Sequence, residues 1–106
     1  MTVGKLISVF DAIKENGATD DVKLVWLNEV EGRIAFEIHK KKAEEFKALV
    51  SSEDTLMLPE PYSRMYILYL AAMISFSNKE YSFYSKLIAE YENVFAEYAR
   101  YVIRNR

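Results

Sequence analysis

The sequence contains no cysteine, two prolines, three glycines and one histidine. Without cysteine there is no disulfide, thiolate nucleophile or sulfur-ligated metal site, and the composition fits a reducing compartment. So few glycines and prolines argue against a loop-rich β architecture and favour a few long, uninterrupted elements. Gly4, Gly17 and Gly32 lie too far apart to cradle a phosphate. No dinucleotide-binding, P-loop, nucleophile-elbow or metalloprotease motif occurs either.

No charge sign dominates: 14 basic and 16 acidic residues leave a formal net charge of −2. A nucleic-acid binder gathers Lys and Arg on one face or strip. Only Lys40-Lys41-Lys42 and the terminal Arg100, Arg104 and Arg106 come near this, and neither group is long enough for a basic arm. Sequence-specific nucleic-acid binding is not expected. The longest uncharged run, Met65–Asn78, has 14 residues, short of the about 20 that span a bilayer. It predicts a buried helix of a soluble protein, with no membrane partner. Met1–Lys5 lacks the apolar stretch of a secretory leader.

With 51% apolar and 28% charged residues in 106, the chain predicts one globular all-α domain over 1–106. Leu6, Ile7, Val9, Phe10 and Ile13 have helical spacing and place a first helix at about 3–15, with Thr2 as N-cap. Asn16-Gly17 predicts its stop, because both residues tolerate the left-handed conformation. Thr19-Asp20-Asp21 predicts a second start, and Leu24, Leu27, Val30, Ile34 and Ile38, with Trp26, carry that helix over 21–39. Gly32 in its middle costs about 1 kcal/mol relative to Ala and predicts the close approach of another helix. Ala43–Val50 reads as a short third helix, and Ser51–Asp54 as a solvated turn. Pro59 predicts an extended Leu58. A central helix follows over 61–77, and Asn78-Lys79-Glu80 leads into a last helix ending near Ile103. A link this short makes the two an antiparallel hairpin, so the expected fold is a small bundle of four to five helices.

All eight tyrosines follow Pro61. Tyr84, Leu87, Tyr91, Val94, Tyr98 and Tyr101 form a stripe at helical spacing, and tyrosine packs as an apolar ring while its hydroxyl seeks water or a partner. Tyr62 to Tyr91 are expected to frame the hairpin. Tyr98, Arg100, Tyr101, Arg104 and Arg106 are the candidate interface, since Tyr and Arg are enriched at partner surfaces. No catalytic, cofactor or metal site is predicted. His39 precedes three lysines and reads as a solvated helix end. Glu29 and Glu31 fall on different helix faces, and Glu90 and Glu97 share the solvent face.

Two motifs in order carry a resemblance. Trp26-Leu27-Asn28-Glu29-Val30-Glu31-Gly32-Arg33-Ile34 is one; Leu56-Met57-Leu58-Pro59-Glu60-Pro61-Tyr62, running into Tyr66, Leu70, Ala71 and Met73, is the other. From about Lys5 to Arg100 the chain resembles small proteins of phage and prophage structural-gene clusters of Gram-positive hosts, and through them the head-to-tail connector, or head-completion, family of long-tailed bacteriophages. It departs from that pattern between the motifs, where a Lys-rich, helix-prone segment replaces a longer polar loop. The resemblance implies an all-helical subunit in a homo-oligomeric ring of about a dozen copies. Its implied partners are the portal and neighbouring connector or tail proteins. Its implied location is the host bacterial cytoplasm during assembly and then the virion, and its C-terminal tail would dock on the portal. Two other readings stay open: a small intracellular protein-interaction scaffold or inhibitor, and a helix-turn-helix regulator built on residues 5–39.

Overall fold

The computed structural model describes residues 1–106 and is all-α. It has helices α1 (Val3–Ile13), α2 (Asp20–Arg33), α3 (Arg64–Ser77) and α4 (Tyr81–Arg104). A π-helical turn at Ile34–Ile38 continues α2, and a 3-10 turn spans Ala43–Glu45. No helix is long and apolar enough to cross a membrane. Chain length predicts one domain; the internal contacts group into two compact units, Met1–Leu58 and Pro59–Arg106.

In Met1–Leu58, the Thr2 hydroxyl caps α1 by accepting from the Lys5 N–H at 3.2 Å. The first N–H groups of a helix have no intrahelical acceptor. Here Val3 N–H donates to the Asp54 carbonyl and Gly4 N–H to the Ser52 carbonyl, both at 2.9 Å. The approach is so close that a Cβ at Gly4 would sit 3.2 Å from Ser52 Cβ and from its carbonyl oxygen. The predicted solvated turn thus also tethers the N-terminus of α1. Its own shape comes from Asp54, whose carboxylate accepts from Val50 N–H (2.7 Å) and Ser51 N–H (3.1 Å).

The end of α1 departs from expectation in mechanism. No glycine has positive φ, and Lys14, at φ −138°, ends the helix in extended backbone. Asn16 makes the stop with its side chain instead. Its Nδ2 donates to the Lys14 carbonyl (2.9 Å) and to Asp11 Oδ1 (3.1 Å), while its Oδ1 accepts from Ala18 N–H (3.2 Å). Thr19 then caps α2 by accepting from Val22 N–H at 3.2 Å.

Helix α2 buries Leu27 and Val30 as its periodicity predicts, and also Lys23 and Glu31, which periodicity did not point to. The Lys23 ammonium lies 2.8 Å from Asp11 on α1 and 4.0 Å from Asp20. Glu31 accepts from Met57 N–H at 2.9 Å and so holds the extended Leu56–Leu58 segment, whose two leucines are buried. Past Arg33 the helix widens: His39 N–H donates to the Ile34 carbonyl five residues back, the bonding pattern of a π-helix. Lys40, at φ 56°, ends it.

The predicted third helix over Ala43–Val50 is absent beyond the 3-10 turn. Asn28 supplies the reason. Leu49 N–H donates to Asn28 Oδ1 (2.7 Å), and Asn28 Nδ2 donates to the Leu49 carbonyl (3.0 Å). A helix over 43–50 would need the Leu49 N–H for its own ladder, so this clamp competes with helix formation. Gly32 differs from expectation as well. Its neighbours are the rings of Phe36 and Phe46 rather than a second helix, and a Cβ there would meet each at 3.9 Å, an ordinary contact distance.

In Pro59–Arg106, Tyr62 N–H donates to the Pro59 carbonyl (2.9 Å) and closes a turn. Helix α3 therefore begins at Arg64 rather than at Pro61. Helices α3 and α4 pack as the predicted antiparallel hairpin. Their link is a Schellman motif with Lys79 left-handed at φ 62°; Glu80 N–H bonds the Ser75 carbonyl (2.8 Å) and Lys79 N–H the Phe76 carbonyl (3.0 Å). Met65, Tyr66, Leu70 and Ile74 are buried on α3, and Tyr91, Val94 and Tyr98 on α4.

Replacing Asn28 by Ala removes two hydrogen bonds and is expected to lower stability by about 2 kcal/mol. Urea unfolding measures the loss, and amide exchange should accelerate at Leu49; unchanged protection there would disprove the clamp. The Lys23 ammonium, helped by the Asn16 amide, holds the Asp11 carboxyl below its ordinary value of 3.8. A lowered carboxyl stabilises the fold above its unfolded value, and that contribution fades as pH falls through the folded value. Asp11→Asn should therefore be the less stable protein at pH 7, with the gap to wild type closing below about pH 4 in chemical denaturation run across pH.

Candidate interaction surface

The five residues predicted as an interface divide by burial. Tyr98 is only 4% exposed. Its ring meets Tyr62 edge-on at 5.2 Å and stacks on Tyr101 at 6.0 Å, while Tyr62 and Tyr101 lie 5.3 Å apart. Tyr98 is thus the centre of a three-ring cluster and offers no surface to a partner. The expected division, with Tyr62 as frame and Tyr98 as contact, is replaced by one cluster containing both. Length explains it: at 1.5 Å per residue α4 is roughly 36 Å long and α3 roughly 21 Å. The last turns of α4 pack on the Pro59–Ser63 turn, which carries Tyr62.

Tyr101 keeps an exposed edge, and Arg100, Ile103, Arg104 and Arg106 are exposed. Arg100 and Arg104 take part in no ion pair. Position 100 neighbours both 103 and 104 on the helix surface, so both guanidinium groups lie to one side of Ile103. The Asn105 side chain closes the helix by donating to the Tyr101 carbonyl at 2.8 Å.

A second exposed group lies at the tip of the hairpin, where Phe76, Tyr81 and Phe83 are each more than half exposed. The Phe76 ring lies 5.7 Å from Tyr81 and 5.1 Å from Tyr84. An aromatic side chain buries 150–250 Å² when covered, so Phe76 and Tyr81, which are in ring contact, together present roughly 200 Å²; Phe83, two residues from Tyr81 on α4, is on another face. Helical spacing assigned Phe76 to the central helix face. The crowding of aromatics on both sides of Asn78-Lys79-Glu80 was the signal that the tip is apolar.

The third feature is an open groove of about 180 Å³ in the Met1–Leu58 unit. Val3 and Ile7 of α1, Asp20, Asp21 and Leu24 of α2, and Val50, Ser51 and Ser52 line it. Val50 is 77% exposed, and Asp21 is in no ion pair. His39, Glu90 and Glu97 are exposed, and no three His, Asp or Glu side chains gather in a way that could hold a metal ion.

No protein family, curated protein or solved structure matches this chain.

Burial sorts the predicted residues by stability. Tyr98→Ala is expected to cost about 3–4 kcal/mol through the lost ring packing. Arg104→Ala should stay within about 0.5 kcal/mol, as exposed positions do. Thermal unfolding of both variants checks the contrast, and equal losses would place Tyr98 outside the core.

Proposed function

We propose that this chain is a structural assembly subunit of a phage or prophage head-to-tail connector, forming a ring beneath the portal. The observation that carries an assembly role is the exposure of large apolar side chains: Phe76 and Tyr81 in contact at the hairpin tip, with Phe83 exposed on another face of α4, and Ile103 beside two unpaired arginines. Water contact with such groups is unfavourable, at about 25 cal/mol per Å² of apolar surface. A subunit with two separate patches suits a ring, where each copy meets a neighbour on either side. The connector identity rests on the order of the Trp26–Ile34 and Leu56–Tyr62 motifs. On that reading the partners are further copies of this chain, the portal and the next connector or tail protein, met in the host cytoplasm and retained in the virion.

The test is electron microscopy of purified portal mixed with this protein over a range of salt. The expected outcome is an added ring of density on the portal. Portals that stay bare at every salt concentration would overturn the connector role.

A further inference from the structure

The groove and the C-terminal face of α4 are complementary in shape and charge. The groove is lined by the aliphatic Val3, Ile7, Leu24 and Val50 together with Asp20, Asp21, Ser51 and Ser52. The end of α4 presents one branched aliphatic side chain, Ile103, 62% exposed, with Arg100 and Arg104 to one side of it. A cavity of about 180 Å³ has room for one such side chain.

Charge favours the same pairing. Residues 100–106 carry three arginines and no acid, although the whole chain has a formal charge of −2. At the groove, Lys23 neutralises part of the acidic charge: it contacts Asp20 at 4.0 Å but is committed to Asp11 at 2.8 Å. Asp21 has no cationic partner, and neither Arg100 nor Arg104 has an anionic one. In the structure the groove is open and Ile103 is exposed, so each surface is free to meet another molecule.

We infer that the C-terminal face of α4 in one copy docks in the groove of a second copy, with Ile103 on the aliphatic lining and Arg100 and Arg104 facing Asp20 and Asp21. The two surfaces differ, so the contact is heterologous and repeats from copy to copy, closing into a ring or growing as a filament. One aliphatic side chain and two rim ion pairs bury much less than the about 800 Å² per partner of a standard interface. A single contact is therefore weak, and closure of a ring makes the set hold. This deepens the assembly role proposed above and rests on it.

The experiment is sedimentation velocity on the full chain, without portal, from about 10 μM to about 1 mM at low salt. Association should rise with concentration and weaken several-fold as salt increases. Ile103→Glu should loosen it at least about tenfold. Arg100→Glu with Arg104→Glu should do so as well. Mixing that double variant with Asp20→Lys/Asp21→Lys should restore association, because the reversed tail then meets a reversed groove. Circular dichroism confirms that each variant is folded; the tail substitutions lie on an exposed helix end and decide the matter if the groove variant is not. A chain that stays monomeric to about 1 mM, or tail variants that associate like wild type, would overturn the docking. Bare portals together with an intact self-association would overturn the connector role and leave the docking in place.

Discussion

Backbone N–H and C=O groups outside helices must still find partners, and in residues 49–57 several of those partners come from α1 and α2. Asn28 takes both backbone groups of Leu49, and Glu31 takes the N–H of Met57. The first turn of α1 supplies donors to the carbonyls of Ser52 and Asp54. Each of these bonds adds only about 1 kcal/mol, yet leaving the group unsatisfied in the interior costs more. The segment therefore takes the one path along which those side chains can reach it. The groove beside Val50 is a consequence of that path, since Val50 and the N-termini of α1 and α2 together line it.

The buried polar residues of α2 set its orientation as much as its leucines do. Lys23 and Glu31 are each about 3% exposed, and an isolated buried charge is strongly disfavoured. Lys23 is compensated by Asp11, and Glu31 accepts from the Met57 amide. These contacts have direction, which apolar packing lacks. They fix which face of α2 meets α1 and which meets the extended segment.

The hairpin unit relies on aromatic packing. Its rings cluster in three places: Tyr62 with Tyr98 and Tyr101, Tyr69 with Tyr91, and Phe76 with Tyr81 and Tyr84. The stripe on α4 is covered through its middle, at Tyr91, Val94 and Tyr98, and open towards both ends. One open end is aromatic and the other cationic. Tyr98 packs beneath the cationic end, against Tyr62 and Tyr101.

By itself the sequence located the four long helices and the starts of α1, α2 and α4. Thr2 and Thr19 cap as expected, the 3.6-residue periodicity marks α1, α2, α3 and α4, and the short Asn78–Glu80 link dictates a hairpin. These signals are local: a cap or a periodic face depends on residues within a turn or two. Tertiary structure alone decided the rest. Ala43–Val50 has the propensity of a helix, but past the 3-10 turn Asn28, about twenty residues earlier, takes the backbone groups of Leu49 and the segment is not helical. Propensity differences of tenths of a kcal/mol per residue yield to a pair of side-chain hydrogen bonds. The candidate surface was half legible for the same reason. Arg100, Tyr101, Arg104 and Arg106 are on the outside as charge and position suggest. The burial of Tyr98 depends on Tyr62, 36 residues away in the sequence, and the groove, with its aliphatic and acidic lining, is formed by segments that meet only in the fold.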